Sequence, residues 1–203
     1  MTPARPLAVV KLGGSLLTDR AGLAAIIAGL AGAPARVVII PGGGPLADGV
    51  RTAQAAAGFS DRLAHRLALQ AMEQVADILA DLFPACRPVA DSAGITAAHQ
   101  GGILSVWRNA AHFLRPGIPE SWDVTSDSLA AALARELDAN RLLLVKSAAP
   151  PPGDVAALAR AGYVDAAFPG FAAAFGRPVH FAGPDDVSRI ADLLTDSPRR
   201  AAS

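Results

Sequence analysis

The stretch Val9-Val10-Lys11-Leu12-Gly13-Gly14-Ser15-Leu16 decides how the rest of the chain is read. Its first half is too short and too β-branched for a helix and reads as a buried strand over 7–12. The two glycines at its end let the backbone turn sharply and approach a ligand, because no Cβ intervenes. Backbone N–H groups exposed in such a turn make a pocket for phosphate oxygens. Lys11 adds a compact positive charge. The other reading is a strand end with a solvated lysine, and Gly-Gly-Ser alone does not separate the two.

A second strand follows over 36–41, Arg36-Val37-Val38-Ile39-Ile40-Pro41. Between the strands, Asp19 is placed to cap a helix to Ala31, with Leu23, Ile26, Ile27 and Leu30 on one face. Strand, helix, strand is the βαβ unit of a parallel sheet. Another glycine turn, Gly42, Gly43 and Gly44, follows the second strand as the first turn follows the first. Pro45 suits a helix start, and Gly58 ends that helix. Ser60 or Asp61 then caps a long helix to about Phe83, with Leu67, Ala71, Val75, Ile78 and Leu82 expected on its core face. Short strands are expected over 87–91 and 103–106, and residues 115–119 form a rigid loop. Residues 121–128, Ser121-Trp122-Asp123-Val124-Thr125-Ser126-Asp127-Ser128, precede a helix over 129–137. Residues 141–146 form another buried strand ending in Lys146, and a last strand is expected over 178–181. The tail from Pro198 is expected to fray.

With 203 residues the chain is expected to form one domain, 1–203. Hydrophobic residues make up 52% and charged residues 18%, which excludes disorder. The 18 basic and 18 acidic residues balance, which argues against nucleic acid or an anionic membrane as the main partner. One cysteine, Cys86, excludes an internal disulfide and a multi-cysteine zinc site. No apolar run reaches the ~20 residues of a membrane span, and the first residues lack a signal peptide's apolar core. The expectation is a cytoplasmic protein.

Three strand ends carry polar chemistry: Lys11 with Gly13, Gly14 and Ser15; Gly42 to Gly44; and Lys146 with Ser147. In a parallel sheet these ends share one edge, where ligands bind. Two lysines and two glycine turns suit phosphoryl transfer, which needs charge neutralisation and positioning. Asp127 has two readings, a helix cap or a holder of both lysines, and spacing alone favours the cap. Gly42, Gly44, Ala47 and Asp61 also fit a dinucleotide fingerprint, although that fingerprint normally follows the first strand. His65 reads as a helix-surface residue or a substrate contact. Trp122 either stacks on a planar ring or plugs the core. His99, His112 and His180 have no metal-site spacing.

Lys11 to Ser15, Pro41 to Gly44 and Ser126-Asp127, in that order, resemble the amino acid kinase superfamily, which includes acetylglutamate, aspartate, uridylate and isopentenyl phosphate kinases. The resemblance runs from Val9 to about Lys146. It implies an α/β fold, a three-layer αβα sandwich with a mainly parallel central sheet, and ATP with Mg2+ as phosphate donor, the metal held through the ATP phosphates. It implies that Lys11 stabilises the transferring phosphoryl group and that Asp127 organises the catalytic lysines, Lys146 being the second. Gly13, Gly14, Ser15 and Ser147 would lie at the nucleotide phosphates, and Gly42, Gly43 and Gly44 at the acceptor.

Residues 65–77 and 121–128 look like the short kinases of methanofuran-type cofactor synthesis. Those convert (5-(aminomethyl)furan-3-yl)methyl phosphate to its diphosphate. This resemblance implies that His65, Trp122, Asp123, Thr125 and Ser126 lie near the substrate, the aromatic ring and the carboxylate suiting a furan that bears an ammonium. A small-molecule phosphate acceptor is the expected partner, and relatives often pair as homodimers. The chain departs from many members after Lys146. Their Thr-Asp-Val-Asp-Gly-like turn is replaced by Ser147-Ala148-Ala149-Pro150-Pro151-Pro152-Gly153. A non-catalytic binding protein on this scaffold therefore stands as an alternative, as does a kinase for another carboxylate or phosphate. The histidine that isopentenyl phosphate kinases carry after the second glycine turn is missing.

Overall fold

The computed structural model describes residues 5–195. The first strand, β1 (Leu7–Leu12), is buried along its whole length. A single 3-10 turn over Gly14–Thr18 leads from it to α1 (Arg20–Ala31), capped by the Asp19 carboxylate accepting from Gly22 N. The chain returns through β2 (Arg36–Pro41), α2 (Gly44–Ala57) and the long α3 (Asp61–Leu82), then β3 (Cys86–Val89), α4 (Ser92–Gln100) and β4 (Leu104–Trp107). After the 108–125 loop come α5 (Ser126–Glu136), β5 (Arg141–Val145), α6 (Val155–Arg160), α7 (Phe168–Phe175), β6 (Val179–Ala182) and α8 (Ile190–Leu193). The expected fraying of the tail concerns residues outside this range.

The strands form one six-stranded sheet in the order β3-β4-β2-β1-β5-β6, and every pair is parallel. β1 is central, with β2 and β5 on either side. Lys11 is level with Ile40 and Leu144. Side chains alternate along a strand. Leu7 and Val9 therefore face the cluster built on α4, α5, α6 and α7, and Ala8, Val10 and Leu12 face the one built on α1 and α8. Helices on both faces of a parallel sheet make the three layers of an αβα sandwich.

α3 serves both clusters: Leu69 and Met72 pack in the first, and Val75, Ala76 and Leu79 in the second. Its core stripe departs from the expected one. Ala71 and Val75 are buried, but Leu67 and Leu82 are half-buried and Ile78 is exposed. The helix is covered on two sides, so one periodic stripe does not describe it. Residues 92–100 form α4, its N-terminus capped by the Asp91 carboxylate, which accepts from Gly94 N at 2.8 Å.

Candidate active site

Period-2 alternation puts Lys11 on the same sheet face as Leu7 and Val9, the face that α5 covers. Asp127, in the first turn of α5, meets it there. The Lys11 ammonium lies 2.9 Å from Asp127 Oδ1, and the Lys146 ammonium, just past β5, donates to Oδ2 at 2.8 Å. Lys11 is 6% exposed and Asp127 3%, so solvent screens this triad little. Burial by itself would raise the Asp127 pKa, but the two ammonium groups outweigh it and hold the carboxyl below its ordinary range. Lys146 is held below the usual lysine value, first by burial and then by the neighbouring charge of Lys11, with Asp127 pulling the other way. Lys146 also donates to the Tyr163 carbonyl.

Asp127 is thus the holder of both lysines; its carboxylate caps no helix. The cap of α5 comes from a distant residue. Thr125, at the cap position, makes no side-chain cap bond. Asp165, in the loop between α6 and α7, accepts from Thr125 N and Thr125 Oγ1 at 2.9 Å each, from Ser128 N at 3.0 Å, and from Ser128 Oγ. Its own N–H reaches Asp127 Oδ2 at 3.3 Å. Sequence reasoning missed Asp165, which lies 37 residues beyond Ser128 and has no local signal.

The two glycine turns lie against each other. A Cβ on Gly14 would stand 2.0 Å from Gly44 N, and one on Gly42 would stand 2.7 Å from Gly14 N. Gly44 also has φ +51°, in the left-handed region that favours glycine. The sheet ladder runs into the turns, with Gly13 N donating to Val145 O at 2.8 Å and Gly42 N to Leu12 O at 2.7 Å. Ser15 Oγ and Ser147 Oγ are 2.9 Å apart, which ties the first turn to the segment after Lys146. Asp154, the first acid of that segment, caps α6 through Ala157 N.

Beside the glycine turns opens a cavity of about 240 Å³. Gly14, Ser15 and Gly42 to Gly44 form one wall, and His65, Leu69, Met72, Trp122, Thr125 and Ser126 form the other. His65 is 3% exposed and not a helix-surface residue, because the 115–125 loop folds over it. Its Nδ1 donates to the Ser121 carbonyl at 3.0 Å, and burial lowers its pKa, keeping the ring neutral. Trp122 Nε1 donates to Gln54 Oε1 at 2.7 Å, and the Arg51 guanidinium lies 3.6 Å from the Trp122 ring centre. Trp122 is therefore a half-buried wall and not a core plug.

Asp123 is the exception among the expected contacts. It is exposed and does not line the cavity; its carbonyl instead accepts from Ala167 N. Asp48 and Arg51, unmarked in the sequence, do line it. The dinucleotide reading fails on Asp61, which opens α3 and accepts from Gln54 Nε2 at 2.7 Å instead of ending a strand. Among the described residues no three His, Cys, Asp or Glu side chains group to hold a metal. No helix among them is long and apolar enough to cross a membrane.

The chain is a parallel αβα sandwich with a Lys-Asp-Lys triad beside paired glycine turns. The amino acid kinase family model matches residues 6–149, and the chain belongs to that family. It is 30% identical over 146 residues to the [5-(aminomethyl)furan-3-yl]methyl phosphate kinase of Methanocaldococcus jannaschii. That match covers 67% of this chain and 63% of the relative's length. Solved structures share the fold. Uridylate kinase of Archaeoglobus fulgidus superposes with a TM-score of 0.65 at 16% identity, over 91% of this chain and 95% of that one. UMP kinase of Bacillus anthracis gives 0.69 at 16%, over 95% and 93%. Isopentenyl phosphate kinase of T. acidophilum gives 0.58 at 13%, over 94% and 97%.

Proposed function

We propose that this protein is a small-molecule kinase that passes the γ-phosphoryl group of ATP to a phosphate monoester. The observation that carries the reading is the buried carboxylate gripped by Lys11 and Lys146 beside the abutting glycine turns. In the transfer, the bond between the γ-phosphorus and the β-bridging oxygen breaks, and a bond to an acceptor oxygen forms. Lys11 and Lys146 offset the charge that spreads over the transferring group. Gly13, Gly14, Ser15 and Ser147 would hold the donor phosphates, and Gly42, Gly43 and Gly44 the acceptor. Mg2+ would arrive on the ATP phosphates and neutralise part of their charge.

Asp127 is unsuited to act as a general base, since both its oxygens are engaged and its basicity is depressed. An alcohol acceptor would need a base. A phosphate monoester is already largely a dianion near pH 7 and attacks without losing a proton. The acceptor chemistry we favour is (5-(aminomethyl)furan-3-yl)methyl phosphate, converted to its diphosphate, as the name of the curated relative suggests. Trp122 would stack on its ring, with His65, Thr125 and Ser126 around it, since all four line the cavity.

The experiment is to incubate the protein with ATP, magnesium and this acceptor, and to follow ADP and the diphosphate by phosphorus NMR. Formation of both in equal amounts is expected. A second reading, a binding protein without catalysis, draws on the acid-free segment from Ser147 to Gly153. Acceptor binding with no ADP formed from any candidate would favour it.

A further inference from the structure

Among the described residues that line the cavity, Asp48 is the one acid. It lies four residues after Gly44 in α2, on the same helical face and about 6 Å further along the axis. Side chains of a helix lean toward its N-terminus. Its position therefore commands the space next to the second glycine turn. Among the described residues, no side chain is paired with its carboxylate. Arg51, one turn further on, is stacked on the Trp122 face and forms no ion pair with Asp48 among the described residues.

A phosphate drawn to the N-terminus of α2 is favoured there by the helix dipole and the free backbone N–H groups. The far end of a small acceptor then lies about one helical turn away, at Asp48 and Trp122. We propose that Asp48 binds the cationic end of the acceptor, so that the site selects phosphate monoesters that carry an amine. The inference rests on the kinase reading above and names the residue that recognises the amine of its acceptor. The ammonium donates charge-assisted hydrogen bonds to the carboxylate. Asp48 is exposed, so the gain is modest, roughly two- to fivefold in affinity.

Calorimetry with two probes tests it: (5-(aminomethyl)furan-3-yl)methyl phosphate, and the same ester with a methyl group replacing the aminomethyl. The intact protein is expected to prefer the amine by roughly two- to fivefold. Asp48→Asn is expected to bind both alike, and Asp48→Lys to prefer the methyl probe. An amine preference that survives both substitutions overturns the proposal. Equal binding of the two probes by the unsubstituted protein does the same while leaving the kinase reading in place. So does loss of both probes in Asp48→Asn, which would mark a structural role. Failure of the unsubstituted protein to bind either probe removes the acceptor reading itself, and this inference with it.

Discussion

Lys11 carries a full charge into a position that is 6% exposed, and Asp127 makes that tolerable. Burying an unpaired ammonium is costly, whereas a triad of two ammonium groups on one carboxylate leaves one net positive charge to aim outward. That residual charge is the proposed means of stabilising the transferring phosphoryl group. Lys11→Ala is therefore expected to lower kcat roughly 100-fold or more. The fold should survive, because Asp127 keeps Lys146 as a partner. Steady-state rates alongside a thermal melt check this, and a near-normal rate in a folded variant rejects the role.

The elements meet where side chains are absent. Gly14 and Gly44 bring the turns after β1 and β2 into backbone contact, so Gly14→Ala drives a methyl group into Gly44 N. Loss of both stability and phosphate binding is expected, measured by denaturant unfolding and by ATP titration. Gly49 is the contrast. It lies inside α2 with nothing within 4 Å of its would-be Cβ, so Gly49→Ala should stabilise by about 0.5–1 kcal/mol. A shared sign for the two substitutions would contradict this account. α5 depends in turn on Asp165, whose carboxylate satisfies its first turn from outside. Asp165→Ala leaves those buried donors unpaired and should cost about 2 kcal/mol. It should also lower kcat, by loosening Asp127, while Asp165→Asn retains part of both. Unfolding curves and kcat for the pair provide the check.

Across the molecule, folding depresses several acids of the protonation equilibrium at once. Burial lowers the pKa values of His65 and His99 below the ordinary 6.5, so the unfolded chain takes up their protons first. Their contribution to stability is complete above 6.5 and declines as pH falls toward the folded values. Asp127 is lowered from 3.8, so its contribution is intact above 3.8 and is lost on further acidification. Stability should fall in two stages, the first below about pH 6.5 and the second below about pH 4. Urea titrations across this range check the order, and His65→Phe should flatten the first stage. A profile flat from pH 7 to about 5 would show that neither ring is protected.

Local chemistry made much of this legible before any coordinates. β1 and β2 are runs of β-branched and aliphatic residues, and their bounds follow from composition alone. Asp19 and Ser60 are caps recognisable from their neighbours. The order of the two glycine turns and Asp127 carried the family resemblance, because each motif is contiguous. Other features were illegible for one reason: they depend on segments far apart in the chain. Asp165 reaches α5 across 37 to 40 residues. His65 is buried by a loop 56 residues away. Asp48 has no local signal and Asp123 has one, yet the way α2 and the 115–125 loop meet puts Asp48 in the cavity lining and leaves Asp123 outside it.

The amino acid sequence by itself determined the parallel βαβ frame, the two glycine bends and the residue types available for phosphate chemistry, since strand, turn and cap preferences act within a few residues. Only the tertiary structure decided which charge each of those residues faces. Pairing Lys11 with Asp127, and Asp127 with Lys146, requires three separate segments to arrive at one sheet edge, and that convergence is set by the packing of α5 on β1 and β5 and by no local rule.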